Sequence, residues 1–191
     1  MRKFKDNGIM AKNFFVIAFL ILFSNSITLA QNIEARVFEP ENIDIKIINQ
    51  HPANLSLNIC LRDRRVSGNL FQEEIFSTVQ HQFEKSFPKT KITFIEDLRK
   101  INTADTDQLL IIIDVIDYFT AKKRNKWIGK TTFNLKIFDY RHNNIQETKQ
   151  QISHTATKPN RQSLQSAKQA LAESYRKTLM ETIHSIIHLI D

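Results

Sequence analysis

The chain has few of the residues that build tight loops, disulfides and cofactor-binding turns. Its 191 residues include three glycines, four prolines and one cysteine. So few glycines argue against phosphate-cradling loops, and the usual nucleotide-binding and hydrolase motifs do not occur. One cysteine cannot form an intramolecular disulfide, which excludes a disulfide-stapled secreted fold. We therefore expect no cofactor and no metal site in an otherwise ordinary folded domain.

The N-terminus has the layout of an export signal. Basic residues precede a ten-residue apolar run, FFVIAFLILF at 14–23, and small or polar residues follow it. A bilayer span takes about 20 residues, whereas this run has the length of a signal-peptide core. Thr28 and Ala30 place small side chains before a predicted cut at Gln31. We expect residues 1–30 to be a cleaved signal peptide and the mature protein to be periplasmic. The alternative is an uncleaved leader that anchors the chain in the inner membrane.

The mature chain is only mildly basic. Of the formal net charge of +7, the leader carries +3 (four basic residues and one acid), which leaves +4. This excess is weak evidence for nucleic acid, and export makes nucleic acid a poorer candidate still, so none is expected. An anionic membrane surface is a better match. Cys60 lies within a predicted strand and not directly after the leader, so we predict a buried thiol and no lipid anchor.

The hydrophobic pattern predicts an α+β two-layer sandwich. Residues 31–52 are expected to form an arm or strand, and 53–191 a single domain. Apolar residues at three- and four-residue spacing predict two amphipathic helices, one over 70–87 and one of nearly thirty residues at the C-terminus. Apolar or alternating runs predict strands at 55–61, 91–95, 108–121 and 127–140. A further strand is predicted at 145–157; because it is long and polar, we expect it at an edge of the sheet. This order predicts a mostly antiparallel sheet with both helices on one face.

The stretch KKRNKW at 122–127 is the first candidate binding site. It places four basic residues and an aromatic at a predicted hairpin: Lys122, Lys123, Arg124, Lys126 and Trp127. Such a tip suits contact with phosphate headgroups or an acidic partner, with the tryptophan as an anchor. The alternative is a solubilising turn whose tryptophan belongs to the core.

Charged residues at the ends of strands are the second group of candidates. Asp63 and Arg64 end the first core strand. There they could bind an anion or take part in catalysis. The alternative is that they only fix the turn before the helix. Asp114 and Asp117 are three apart in a predicted strand, so we expect them on opposite faces and unable to share a substrate.

Two histidines, His184 and His188, lie four apart on the last predicted helix. That spacing brings two imidazoles together, but the segment lacks the glutamate of the zinc-protease pattern. We predict at most an incidental metal contact there.

Several short motifs together resemble a known bacterial family. They are the Asp63–Arg64 pair, a helix reading FQEEIFSTVQHQFEKSF, a strand ending in Asp117–Tyr118, a W-x-G at Trp127 and Gly129, and an amphipathic C-terminal helix. Over roughly residues 53–188 the chain resembles the YajG-like family of small bacterial envelope lipoproteins, and its layout is similar to auxiliary lipoproteins of envelope lipid transporters. The resemblance implies a non-enzymatic envelope protein with a helix-covered sheet, and it supplies no catalytic residues. The chain departs from the family because no lipid-accepting cysteine follows the leader.

These patterns favour a soluble periplasmic accessory protein that is not an enzyme. It would bind an envelope protein or lipid through the tip, the open face of the sheet or the edge strand. The alternative is an envelope hydrolase that uses Asp63, Asp114 or Asp117. The sequence leaves the oligomeric state open.

Overall fold

The fold is α+β: a six-stranded, mostly antiparallel open sheet with two helices packed against it. The structure is a computed structural model that describes residues 35–41, 43–49, 55–66, 68–100, 107–141, 145–161 and 163–190. The predicted leader and its cut before Gln31 lie outside these residues. The elements are β1 (Ala35–Arg36), β2 (Ser56–Asp63), α1 (Gln72–Ser86), β3 (Lys91–Phe94), a 3-10 turn (Leu98–Lys100), β4 (Gln108–Lys123), β5 (Lys126–Asp139), β6 (Gln146–Pro159) and α2 (Ser163–Ile190).

Parallel and antiparallel pairings meet at β4. The strand order is β3-β2-β4-β5-β6, and β2 runs parallel to both of its neighbours. The β2–β3 pairing is parallel because α1 crosses over between them. From β4 onward the chain turns back twice, so β4, β5 and β6 are antiparallel. The predicted edge position of the last strand is confirmed.

Both helices follow the predicted periodicity and lie on one face of the sheet. In α1 the buried residues Ile75, Val79 and Phe83 recur every four positions, and the helix ends before Pro88. The stripe of α2 is buried in the same core cluster, together with alternate residues of β2, β4 and β5. Its members are Leu171, Tyr175, Leu179, Ile183 and Ile186.

Aromatic packing joins the two helices to the sheet. Tyr175 of α2 is fully buried, and its ring meets those of Tyr118 and Phe133 edge-on at centroid distances of 5.3 Å and 6.0 Å. Its hydroxyl donates to the carbonyl oxygen of Ile75 at 3.0 Å. One side chain therefore ties α2 to α1 as well as to the sheet.

Small side chains let α2 approach β5 closely. A Cβ at Gly129 would lie 2.3 Å from the carbonyl carbon and oxygen of Ala170. One turn further along the helix, the hydroxyls of Thr131 and Ser174 share a hydrogen bond of 3.0 Å. The glycine of the W-x-G motif thus permits backbone contact between helix and strand.

A buried amide side chain contributes to holding the N-terminal arm. β1 is only two residues long and pairs with β4, and residues 43–49 run beside the second half of α1. Gln82 of α1, 2% exposed, accepts from the backbone N–H of Ile45 at 3.2 Å and donates to the carbonyl of Ile43. The backbone N–H of Asn49 donates to the Ser86 carbonyl at 2.7 Å. An amide side chain therefore bonds this arm as a neighbouring strand would.

Candidate functional site

The β4–β5 hairpin ends in the predicted basic stretch, residues 122–126, which we call the basic tip. Lys123 pairs with Lys126, so the turn has only two residues, Arg124 and Asn125. Arg124 has φ 53°, a left-handed conformation that is uncommon for residues other than glycine. β2 ends opposite Val115, eight residues before the end of β4, and beyond it β1 pairs with Thr120 and Ala121 while β6 pairs with β5 up to Lys126. At 3.3 Å per residue the tip reaches about 26 Å beyond the end of β2.

The four cations of the basic tip are all exposed. Lys122 lies opposite Trp127 and shares the helix-covered face of the sheet, while Lys123 and Lys126 lie on the open face. In the part of the chain that the structure describes, no ion pair joins any of the four to a carboxylate. Clustered cations without a paired carboxylate create a positive potential that favours anions.

A cavity of about 480 Å³ opens beside this cluster of charges. Ile128 and Thr157 are paired across β5 and β6 and form its floor on the open face. Four residues of the basic tip line the rest: Lys123, Arg124, Asn125 and Lys126. Its volume is within the range of small-molecule sites, and its lining combines three cations with the aliphatic side chain of Ile128. The sequence pattern did not identify Ile128 and Thr157, because their proximity depends on the pairing register.

Trp127 lies in the core beneath the tip. It is 2% exposed and clusters with Ala167 and Ala170 of α2. Its indole Nε1 donates to the side-chain oxygen of Asn160 at 2.8 Å, and the backbone N–H of Asn160 donates to the Asn125 carbonyl at 2.9 Å. Trp127 is therefore a core residue, the predicted alternative to an exposed anchor. Its ring packs the hairpin against α2.

Asp63 and Arg64 lie away from the basic tip and do not pair with each other. The partner of Asp63 is Arg65, whose guanidinium approaches to 2.5 Å and whose backbone N–H donates at 3.0 Å. Both side chains are nearly inaccessible, at 4% and 1% exposed. Burial opposes ionisation of Asp63, but the hydrogen bonds from Arg65 outweigh it and hold the pKa of the carboxyl below its usual value. Arg64 is 58% exposed and lies 4.0 Å from Asp114.

Asp114 and Asp117 lie on the same face of the sheet, so the predicted opposite placement is wrong. They pair with Asn134 and Thr132, which are two apart on β5, because the register of β4 shifts between Val115 and Asp117. This β-bulge adds one residue and changes the alternation. Arg62 donates to both oxygens of Asp114 at 2.5 Å and 2.8 Å. Lys130 lies 2.7 Å from Asp117. Each carboxylate is thus matched by its own cation.

Cys60, His184 and His188 do not form a binding or metal site with other residues that the structure describes. Cys60 is buried on the open face with Leu110 and Ile112, and burial raises the pKa of its thiol. His184 and His188 are both exposed on α2. Among the residues that the structure covers, no group of three or more His, Cys, Asp or Glu side chains is placed to hold a metal ion.

Comparisons with known proteins find similar structures and no related sequence. No protein-family model matches the chain, and no curated protein matches it. A homolog of neuraminyllactose-binding hemagglutinin from Helicobacter pylori matches at 11% identity and a TM-score of 0.47, over 78% of this chain and 92% of that one. The hypothetical protein CT253 from Chlamydia trachomatis matches at 11% identity and 0.46, over 71% and 98%. Lipoprotein GNA1162 from Neisseria meningitidis matches at 10% identity and 0.36, over 71% and 97%. With TM-scores below 0.5, these likenesses establish neither a family nor a function.

None of the helices described is long and apolar enough to cross a membrane. This finding covers only the residues whose placement is described.

Proposed function

We propose that the protein is a non-enzymatic accessory protein of the bacterial cell envelope that docks through its basic tip onto an anionic lipid surface. One observation carries the proposal: the exposed cations Lys122, Lys123, Arg124 and Lys126 are clustered at one hairpin end, with no described carboxylate paired to them. The predicted signal peptide supports the compartment.

The size of the electrostatic attraction matches a reversible contact. A basic residue near an anionic leaflet gains about 1 kcal/mol, so four of them give about 4 kcal/mol. An affinity of that size corresponds to a dissociation constant of about 1 mM. The tip alone would therefore hold the protein weakly, which suits an accessory protein that a second contact localises.

The rigid attachment of the basic tip to the rest of the domain supports a binding role. Trp127 is buried against α2, and the Asn160 backbone bonds the turn itself. A rigid hairpin loses little conformational entropy when its cations bind a surface. A flexible basic tail of the same charge would lose more.

The hydrolase alternative has less support from the geometry. Asp63, Asp114 and Asp117 each lie within hydrogen-bonding distance of a cation. The hydrogen bonds from Arg65 hold the pKa of Asp63 below its usual value, whereas a general acid near neutral pH needs a raised pKa. We therefore propose a binding role and no catalytic residues.

The mass of the protein recovered from the envelope tests the export step, because a chain starting at Gln31 supports release and an intact leader supports anchoring.

Vesicle sedimentation of the full chain tests the docking step. We compare wild type with Lys123→Glu/Arg124→Glu on vesicles of phosphatidylglycerol and phosphatidylethanolamine, at low and high salt. The lipid concentration for half-binding should rise at least about tenfold in the variant, with an unchanged melting temperature. Wild-type binding should weaken as salt screens the charges.

A matched control reverses two exposed lysines at the other end of the sheet. Lys91 begins β3 and Lys89 lies in the turn just before it; β2 is parallel to both β3 and β4, so β3 begins at the end of the sheet away from the tip. Lys89→Glu/Lys91→Glu should bind like wild type. Equal losses in both variants would show that only net charge matters and would remove the tip from the site. Binding of the wild type only to an acidic envelope protein, seen by in-cell crosslinking at the tip, would replace the lipid by a protein partner.

A further inference from the structure

The outer edge of β6 is long and regular. Fourteen consecutive residues, Gln146–Pro159, pair with β5 without a register shift. In the described part of the chain, β6 has no neighbour on its other side. Most of its side chains are exposed, and Ile152 and Ala156 are buried on the helix-covered face.

The middle of this edge lacks the features that keep edges from pairing. Natural edge strands are short, bulged, or carry charges and prolines. Residues 150–157, QQISHTAT, contain no charged residue, proline or glycine, taking histidine as neutral. The other side of the sheet differs, because β3 has four residues and β1 only two. The long unprotected edge is therefore on one side of the molecule only.

We propose that β6 pairs antiparallel with β6 of a second copy of this chain across a two-fold axis. The opposite side of the sheet is too short to receive a fourteen-residue strand, so head-to-tail growth is disfavoured and a closed two-fold contact remains. With the axis perpendicular to the sheet, each face continues into the same face of the partner. The result is one continuous sheet with all four helices on one side.

The sequence of β6 is compatible with itself in this arrangement. With the axis at Ser153, Gln151 lies opposite Thr155 and Lys149 opposite Thr157, so no like charges face each other on the open face. Hydroxyl and amide side chains opposite one another favour antiparallel pairs. This inference does not depend on the function proposed for the basic tip.

The two-fold contact would place the basic tips at opposite ends of the dimer. Pro159 pairs with Lys126 at the base of the tip, six residues from Ser153. At about 3.4 Å per residue the two tips would lie roughly 40 Å apart. One dimer would then present a cationic end in each direction along its strands.

Sedimentation equilibrium of the full chain tests the proposal. Wild type should show a monomer–dimer equilibrium, and Gln150→Lys/Thr155→Lys should weaken it at least about tenfold, because added charges protect an edge. Both substituted side chains are exposed. Thr93→Lys, at an exposed position on the β3 edge, is the matched control and should dimerise like wild type. Circular dichroism melting checks that every variant is folded.

Disulfide trapping locates the contact independently. Cys60 is the chain's single cysteine and is buried, so Ser153→Cys adds one accessible thiol. Mild oxidation should give a covalent dimer for Ser153→Cys and none for Thr93→Cys. A wild type that stays monomeric at about 100 μM would overturn the proposal. So would a dimer that the lysine variant keeps and Ser153→Cys does not trap, because association would then use another surface.

Discussion

Replacing Gly129 with alanine tests how closely α2 is seated on the sheet. The added Cβ would lie 2.3 Å from the carbonyl carbon and oxygen of Ala170 and 2.5 Å from the backbone nitrogen of Leu171. These are backbone atoms in the middle of a helix, so no side-chain rotation can relieve the contact. The φ of Gly129 is not in the left-handed region, so backbone conformation adds no penalty of its own.

The expected loss of stability is about 2 kcal/mol, within a range of about 1–3.5 kcal/mol. An ordinary contact of about 3.4 Å requires the helix to move away by about 1 Å, and overpacking of this kind costs about 1–3 kcal/mol. The same movement would stretch the 3.0 Å hydrogen bond between Thr131 and Ser174 beyond bonding distance, which costs about 1 kcal/mol more. Reduced entropy of the unfolded chain returns about 0.4–1 kcal/mol. The melting temperature should fall by about 4–8 °C.

Urea and thermal unfolding followed by circular dichroism measure this loss. Gly68→Ala is the comparison, because Gly68 has φ +91° and open space around its Cβ position, so its cost is conformational alone. Adding Ala170→Gly to the Gly129 variant should not restore stability, since the clash is with Ala170 backbone and not with its methyl group. A Gly129→Ala protein as stable as wild type would refute the reasoning, and so would rescue by Ala170→Gly.

Two further perturbations probe contacts of α2. Tyr175→Phe should lower the free energy of unfolding by about 1 kcal/mol in urea titrations, because it removes the hydroxyl that bonds Ile75; an unchanged midpoint would mean that this bond contributes nothing. The hydrogen bonds from Lys158 and Lys177 lower the pKa of Glu173 to about 2, from an ordinary value of 4.5. The stability from this carboxylate is therefore present above about pH 5 and is lost as pH falls toward 2. Glu173→Gln should cost about 1 kcal/mol at pH 7 and almost nothing at pH 2 in the same titrations, and a constant difference would contradict the assignment.

The helix layer and the sheet could be predicted from the sequence, because helices and strands each show a local repeat of apolar residues. Apolar residues every three or four positions placed both helices, and the polar 145–157 run marked the edge strand. The parallel pairing of β2 with β4 was not predicted, since it depends on the crossover through α1 and on contacts between distant residues. The close contact between α2 and β5 at Gly129 was only weakly indicated by the sequence, through a glycine within a strand pattern.

The candidate site was predictable in its charges and not in its geometry. The cations at 122–126 were visible as a run, whereas the sequence left Trp127 open between an exposed anchor and a core residue, and its burial against α2 decides for the core. Arg65, and not Arg64, pairs with Asp63, since the backbone turn brings the second residue after the aspartate to the carboxylate. The binding role of the tip stays a prediction.

The bulge in β4 has a consequence for the evolution of the tip. Because β4 gains one residue between Val115 and Asp117, everything beyond it alternates with the opposite phase. Ile116 is the extra residue, and deleting it would leave Val115 opposite Phe133, Asp117 opposite Thr132 and Tyr118 opposite Thr131. The strand would become regular, and Lys122 and Lys123 would keep their present faces. The bulge is therefore the place in β4 where one residue can be lost without changing the side on which each tip cation is displayed.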